Sequence, residues 1–407
     1  MAMDELKYKD GKFTVNGAGI ASDNSISALT TIEEAQEYGM VNNPEWINVT
    51  TDSDGKIIEG TRIGGTKFVV KLESQSIETI KNDLQGQIND IIGTKKQIVC
   101  WGDSLTAGAG SSNLDLKENV VAKLVSMGYE DKWTSLSSVT YEKMIETMLD
   151  DWQVVNCGVG GESLYSIAAR QGVEPDYVNN DFVLPMKAGE KVQITPDEQP
   201  NLYSMHTRTA VCTPLLQGSG NSVNPVSVEG ILCTLSVTKS GYTPTAYYLT
   251  RNEDGDRDVT IKAGAPIIMQ GAKTYRKANV FVLWCWQNGD YTSNEDLVVQ
   301  LKKIIANLNT EKYVIVGLHS GNYNSRKAQE ELLETEFGCK FFNWRRYVSS
   351  NACYDWNIEP TESDITAMEN GAIPPSFLTD SVHLKTCGYM VLGYKLWERM
   401  TQLGYFD

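Results

Sequence analysis

A serine directly behind a short apolar run is the first residue in this chain whose setting suits covalent chemistry. In IVCWGDSLTAGAG, residues 98–110, the run ends in Gly102-Asp103-Ser104-Leu105, and small residues follow. Serine is a weak nucleophile until a base takes its proton. Three histidines can supply that base: His206, His319 and His383. His383 stands in TDSVHLKTCGY, three residues after Asp380. An imidazole exchanges a proton near neutral pH. A carboxylate beside it holds the ring in one tautomer and stabilises the imidazolium. The short spacing lets Asp380 and His383 converge from one loop. The plainer alternative makes Ser104 part of a turn and N-cap, with Asp380 capping the final helix and His383 packed against it.

Acyl transfer also needs hydrogen-bond donors around the oxygen that becomes negative. The backbone N–H of Ser104 is one. NCGVGGESL, residues 156–164, places Gly161 behind a second apolar run, and CWQNGDY, residues 285–291, places Asn288 behind a third. Either segment alone is more often structural. Asp103 is expected to fix the turn by hydrogen bonding rather than to serve as a second base. His319, in GLHSGNY, suits either the cleft or a hydrogen-bonded loop, and His206 has no assigned chemistry. So few histidines cannot build a multi-histidine metal site. The acidic NEDGDRD at 252–258 lacks the spaced terminal glutamate of a calcium loop and reads as a solvated turn. No metal or cofactor is expected.

Positioning such groups requires a sheet. KKQIVCW, WQVVNCG, ANVFVLWCW and KYVIVGL read as four apolar strands, with a shorter fifth at CKFFNW. ENVVAKLVSMGY, YEKMIETMLDD, SLYSIAARQG, NEDLVVQLKKIIANLN and GYMVLGYKLWERMTQL have helical spacing. Strands alternating with helices predict an α/β fold on a parallel sheet. Ligands in such sheets bind outside the carboxyl ends of the strands. Residues 173–278 break the alternation. VEGILCTLSVT, TAYYLTRN and RDVTIKAGAPIIM suggest strands, hence a β-rich domain inserted into the α/β domain of residues 97–172 and 279–407. Residues 1–70 read as a small β-rich region with turns at DSDG and IGG. Residues 71–96 form a helical stem or linker, with Ile77, Leu84 and Ile91 repeating at seven. That stripe fits one helix packed on its own chain, or oligomerisation through residues 1–92.

With these residues in place the chain resembles the SGNH, or GDSL, hydrolase superfamily. GDSLTAG at 102–108 resembles its first block, NCGVGGES its second, WQNGD its third and D-S-V-H its last, in family order. The third block departs from the pattern, with Trp286 where glycine is usual and Gly289 after the asparagine. The resemblance covers 97–172 and 279–407. It implies a flavodoxin-like three-layer α/β/α domain with a metal-independent triad of Ser104, Asp380 and His383. It also implies an oxyanion hole from Ser104, Gly161 and Asn288. The head and stem faintly resemble segments of phage tail and host-surface proteins.

The whole chain sets outer bounds. Its 407 residues exceed one ordinary core. A formal net charge of −16, without a basic stripe, makes nucleic acid a poor partner. No apolar stretch is long enough for a spanning helix, and no secretory signal is evident at the N-terminus, which leaves a cytoplasmic setting or a phage or cell-surface assembly. The eight cysteines lack paired spacing and read as buried free thiols. The expected reaction is hydrolysis of a small acyl ester, acetyl above all, on a glycan or small molecule. Tyr203, Tyr242, Tyr247, Tyr248, Trp284, Trp286 and Tyr291 fit either a sugar-binding wall or a core. The alternatives are a lipase or thioesterase on longer chains, and a non-catalytic binding or structural protein.

Overall fold

The computed structural model describes residues 96–198, 202–204, 222–241 and 243–406, together with the backbone of five short strands between residues 6 and 69. The stem at 71–95, His206 and Tyr242 lie outside the described residues. The chain divides into two units, Met1–Thr94 and Lys95–Asp407. In the first, Leu6–Lys9 pairs antiparallel with Lys12–Val15. Trp46–Thr51, Ile57–Arg62 and Lys67–Val69 form a three-stranded antiparallel sheet.

The second unit is an α/β fold built on five parallel strands: β1 (Lys96–Gly102), β2 (Trp152–Gly158), β3 (Val280–Trp284), β4 (Tyr313–Val316) and β5 (Phe341–Phe342). Their order across the sheet is 2-1-3-4-5. Every residue of β3 and β4 is buried, as are the last five of β1. Strands buried on both faces need cover on both, which is why they read as unbroken apolar runs. Each fully buried side chain such as Phe281 or Leu283 contributes about 1.5–3 kcal/mol relative to exposure. The cover comes from helices. α1 (Lys117–Ser126) and α2 (Tyr141–Thr147) both pack on the last helix, α6 (Thr386–Gln402). α3 (Leu164–Gln171) follows β2, and α4 (Asn294–Ala306) packs on α5 (Tyr323–Phe337). Leu297, Leu301 and Ile304 make the buried stripe of α4, and the Ser293 hydroxyl caps its start.

The described residues between 176 and 268 form an antiparallel structure with its own core. Its seven-stranded sheet centres on the hairpin of Ile231–Ser240 and Thr243–Arg251. Val226, Leu235, Tyr247, Leu249 and Ile267 are among its buried residues. The acidic turn is tied down: Asp254 accepts from Lys187 and from the Ala188 N–H, and Asp258 from the Met186 N–H.

One expectation needs correction, and one alternative that the sequence left open is decided. Cys339 is exposed, whereas Cys100, Cys157, Cys233, Cys285, Cys353 and Cys387 are buried thiols. Tyr247, Trp284 and Trp286 are core residues and form no wall of a cleft. Residues 320–370 hold helices that the apolar spacing does not announce, among them α5 and Glu362–Glu369. Each has a capping box, Asn322 with Ser325 and Thr361 with Asp364, and that signal is readable from sequence.

Among the described residues no helix is long and apolar enough to cross a membrane.

Candidate active site

The strand register sets the stage. Gly158, Gly102 and Trp284 stand side by side at the carboxyl ends of β2, β1 and β3. The sheet order reverses at β1, so the crevice between β1 and β3 opens where Ser104 begins its turn. After Asp103 the chain coils at once, with the Ala107 N–H donating to Asp103 O at 2.8 Å and the Ala109 N–H to Ser104 O at 2.9 Å. Asp103 is fully buried, and its Oδ1 accepts from the Leu105 N–H at 2.9 Å. Burial pushes its carboxyl up to about 7, against the opposing pull of the Leu105 and Gln287 N–H groups and His383. It therefore holds the turn from beneath the serine.

His383 reaches Ser104 because two loops are stitched together. Thr379 N–H donates to His383 O at 2.8 Å, and Thr386 N–H to Asn113 O at 2.9 Å. Tyr389 Oη donates to Ala109 O at 2.8 Å, and Lys385 pairs with Asp115 at 3.0 Å. Gly110 lies so close to this loop that an added Cβ would sit 2.5 Å from Leu384 O. The result is a continuous relay. His383 Nε2 is 3.0 Å from Ser104 Oγ, and His383 Nδ1 is 2.8 Å from Asp380 Oδ2. A carboxylate only accepts, so Nδ1 carries the hydrogen and Nε2 is left to accept from the serine hydroxyl. Asp380 Oδ1 accepts from the N–H groups of Val382 and His383 at 2.8 and 2.7 Å. Desolvation pushes the Asp380 carboxyl up, but its hydrogen bonds to the His383 ring and to these two N–H groups outweigh it and hold it at about 2. Asp380 does not cap the last helix, whose N-cap is Lys385.

The turns after β2 and β3 follow the two strands that flank β1. Gly161 takes φ +79°, a left-handed conformation that an L side chain resists. Among the described residues neither the Ser104 nor the Gly161 N–H has a hydrogen-bond acceptor. Asn288 Nδ2 donates one hydrogen to Glu162 O at 2.9 Å, which orients the amide and leaves its second hydrogen. The two turns are laced further by Leu164 N–H to Gly289 O at 3.3 Å and by the Ser163 hydroxyl to Asp290. Trp286 is buried in the core and is followed by Gly289 and Asp290 at positive φ.

His319 is fully buried and donates from Nε2 to Val382 O at 2.6 Å, between Asp380 and His383. Burial drives its imidazole down to about 4, despite the Val382 bond, so it is neutral near pH 7. It supports the loop and does not face the cleft.

The residue that sequence reasoning missed is Arg170. It is fully buried at the end of α3 and pairs with the equally buried Glu162. An arginine in the last turn of a helix ordinarily reads as a solvated partner of the helix dipole, and no local signal marks it otherwise.

Compared with known proteins, the chain matches no family model, no curated protein and no solved structure.

Proposed function

We propose that the chain is a serine ester hydrolase of the SGNH type, working through an acyl-enzyme on Ser104. The observation that supports this best is the hydrogen-bonded relay from Asp380 through His383 to Ser104. The strand order 2-1-3-4-5 is that of flavodoxin-like sheets and agrees with the motif resemblance.

In the proposed reaction Ser104 Oγ attacks the ester carbonyl while His383 Nε2 takes its proton. The imidazolium is held by Asp380. Negative charge on the carbonyl oxygen is met by the N–H groups of Ser104 and Gly161 and by the free hydrogen of Asn288. His383 then protonates the leaving alcohol. Water, deprotonated by His383, attacks the acyl-enzyme, and the acid leaves as Ser104 regains its proton. No step calls for a metal or cofactor.

The narrower expectation of an acetylated carbohydrate loses part of its aromatic support, since Tyr247, Trp284 and Trp286 belong to cores, whereas Tyr248 and Tyr291 are half-buried. Acetyl esters remain the proposed class, and chain length is the quantity to measure. Wild type and Ser104→Ala are compared on aryl esters of increasing acyl length and on acetylated sugars, with an organophosphonate as an active-serine probe. Serine-dependent turnover that falls with chain length supports a small-acyl esterase. Turnover that rises with length replaces it with a lipase or thioesterase. Equal rates for both proteins and no labelling of Ser104 leave a binding protein on a hydrolase-like scaffold.

A further inference from the structure

We infer that Arg170 is the positioning residue of the oxyanion side, and that the inserted β-rich segment completes its seat through Ser222. This rests on the esterase reading only for its effect on turnover; the anchoring itself is a matter of geometry.

The Arg170 guanidinium is a rigid fork of five N–H donors. Its Nε donates to the Glu162 carboxylate. Nη1 donates to Cys157 O at 2.8 Å and to Ser222 Oγ at 2.5 Å, and Nη2 to Gly102 O at 3.1 Å. These acceptors lie at the carboxyl ends of β2 and β1, on the residue after Gly161, and in the inserted segment. The guanidinium also lies 5.3 Å from the ring of Trp101, the residue just before Gly102.

Ser222 is itself fixed. It is buried, its carbonyl accepts from the Gly271 N–H at 2.7 Å, and the next carbonyl, Val223 O, accepts from the Gln270 N–H at 3.0 Å. The segment that leads into the strand Val226–Val228 and the helix Gln270–Thr274 that leaves the sheet are thus clasped together beside Arg170.

Stability alone is a weak reason to keep such a pair, because a buried ion pair is often replaceable by apolar residues without loss. Direction is a better one. The side chain of Glu162 is held by Arg170, and the backbone carbonyl of the same residue orients the Asn288 amide. The chain Ser222–Arg170–Glu162–Asn288 therefore runs from the insert to an oxyanion donor, through the residue next to the other. Arg170 touches no reacting atom; it acts by fixing those that do.

The test uses the full chain and two variants chosen to fold. Ser222→Ala keeps the ion pair intact. Glu162→Gln combined with Arg170→Met removes both charges together, so neither is left buried alone. Aryl acetate kinetics are measured beside thermal melting and amide hydrogen exchange over residues 159–164. The expected result for Ser222→Ala is a kcat lower by about ten-fold, the scale of one hydrogen bond to a charged group, with KM and Tm little changed. The double variant loses about 100-fold in kcat, as for a misplacement of about 1 Å. Both raise exchange at 159–164 more than elsewhere, and Arg170→Lys, which keeps the charge, recovers part of the loss. Wild-type kcat and unchanged exchange in Ser222→Ala and the double variant, with Ser104→Ala inactive, overturn the inference and leave the esterase standing. Selectively raised exchange in both variants, with no turnover by wild type, upholds the anchoring and removes the esterase instead. A double variant that does not fold leaves the decision to Ser222→Ala.

Discussion

The two sides of Ser104 are held in contrasting ways. The proposed proton-relay side hangs on one loop near solvent: the Asp380 side chain is 53% exposed and that of His383 28%. Its order comes from Asp380 accepting from two neighbouring N–H groups and from bonds that tie the loop to the distant segment after Ser104. The proposed oxyanion side is set on the Arg170–Glu162 pair, both side chains fully buried, with bonds to two strand ends and to the inserted segment. A relay loop can be altered with little effect on the fold, because water replaces what is lost. A buried charged seat cannot, because removing one partner strands the other.

The contrast is broken most directly at the nucleophile. Ser104→Ala or His383→Ala is expected to lower kcat on a responsive ester by about 10⁴-fold or more, with Tm nearly unchanged. A large loss of Tm in either variant would erase the distinction between the two sides. Asp380→Asn comes next, at about 10³-fold in kcat, below the loss known for a buried triad acid because water reaches this one. It carries a second signature. The folded carboxyl sits at about 2, below its ordinary 3.8, so its contribution to stability is present above pH 4 and is lost as pH falls towards 2. The variant should lack that part of the acid transition in a pH series of melts.

On the other side, Asn288→Ala should cost about 10²-fold in kcat with KM little changed, the usual loss for one oxyanion donor. A change confined to KM would place Asn288 in ground-state binding. The smallest effect belongs behind the turn, where Glu142 is buried and accepts from Asn156. Burial raises its carboxyl from 4.5 to about 7, so its favourable contribution is present below pH 4.5 and lost as pH rises through 7. The Tm of Glu142→Gln relative to wild type should therefore climb between pH 5 and 8, with kcat within about two-fold of wild type. A flat difference would show that burial does not raise this carboxyl above its unfolded value.

The parts of the site legible in the sequence were those with a strict local logic. Ser104 had to follow a buried strand, and Asp380 and His383 had to share a loop, so an apolar run and a spacing of three were enough to single them out. Gly161 and Asn288 were legible only as residues after further strands. The α5 helix was not, because its surface is polar nearly all round and its marks are caps rather than apolar spacing. For Trp284 and Trp286 the sequence left cleft and core equally open. Aromatic residues near a site look alike in sequence whether they face a cleft or a core, and only packing separates the two.

The sequence by itself determined the strands, the α/β class and the residue types that acyl chemistry requires, because each depends on neighbours within a few positions. The tertiary structure alone decided which side chains meet. The four acceptors of Arg170 lie 8, 13, 52 and 68 positions away, and His383 lies 279 from Ser104. Contacts at such separations follow from strand order and register, which set distance in space, and spacing along the chain does not carry that information.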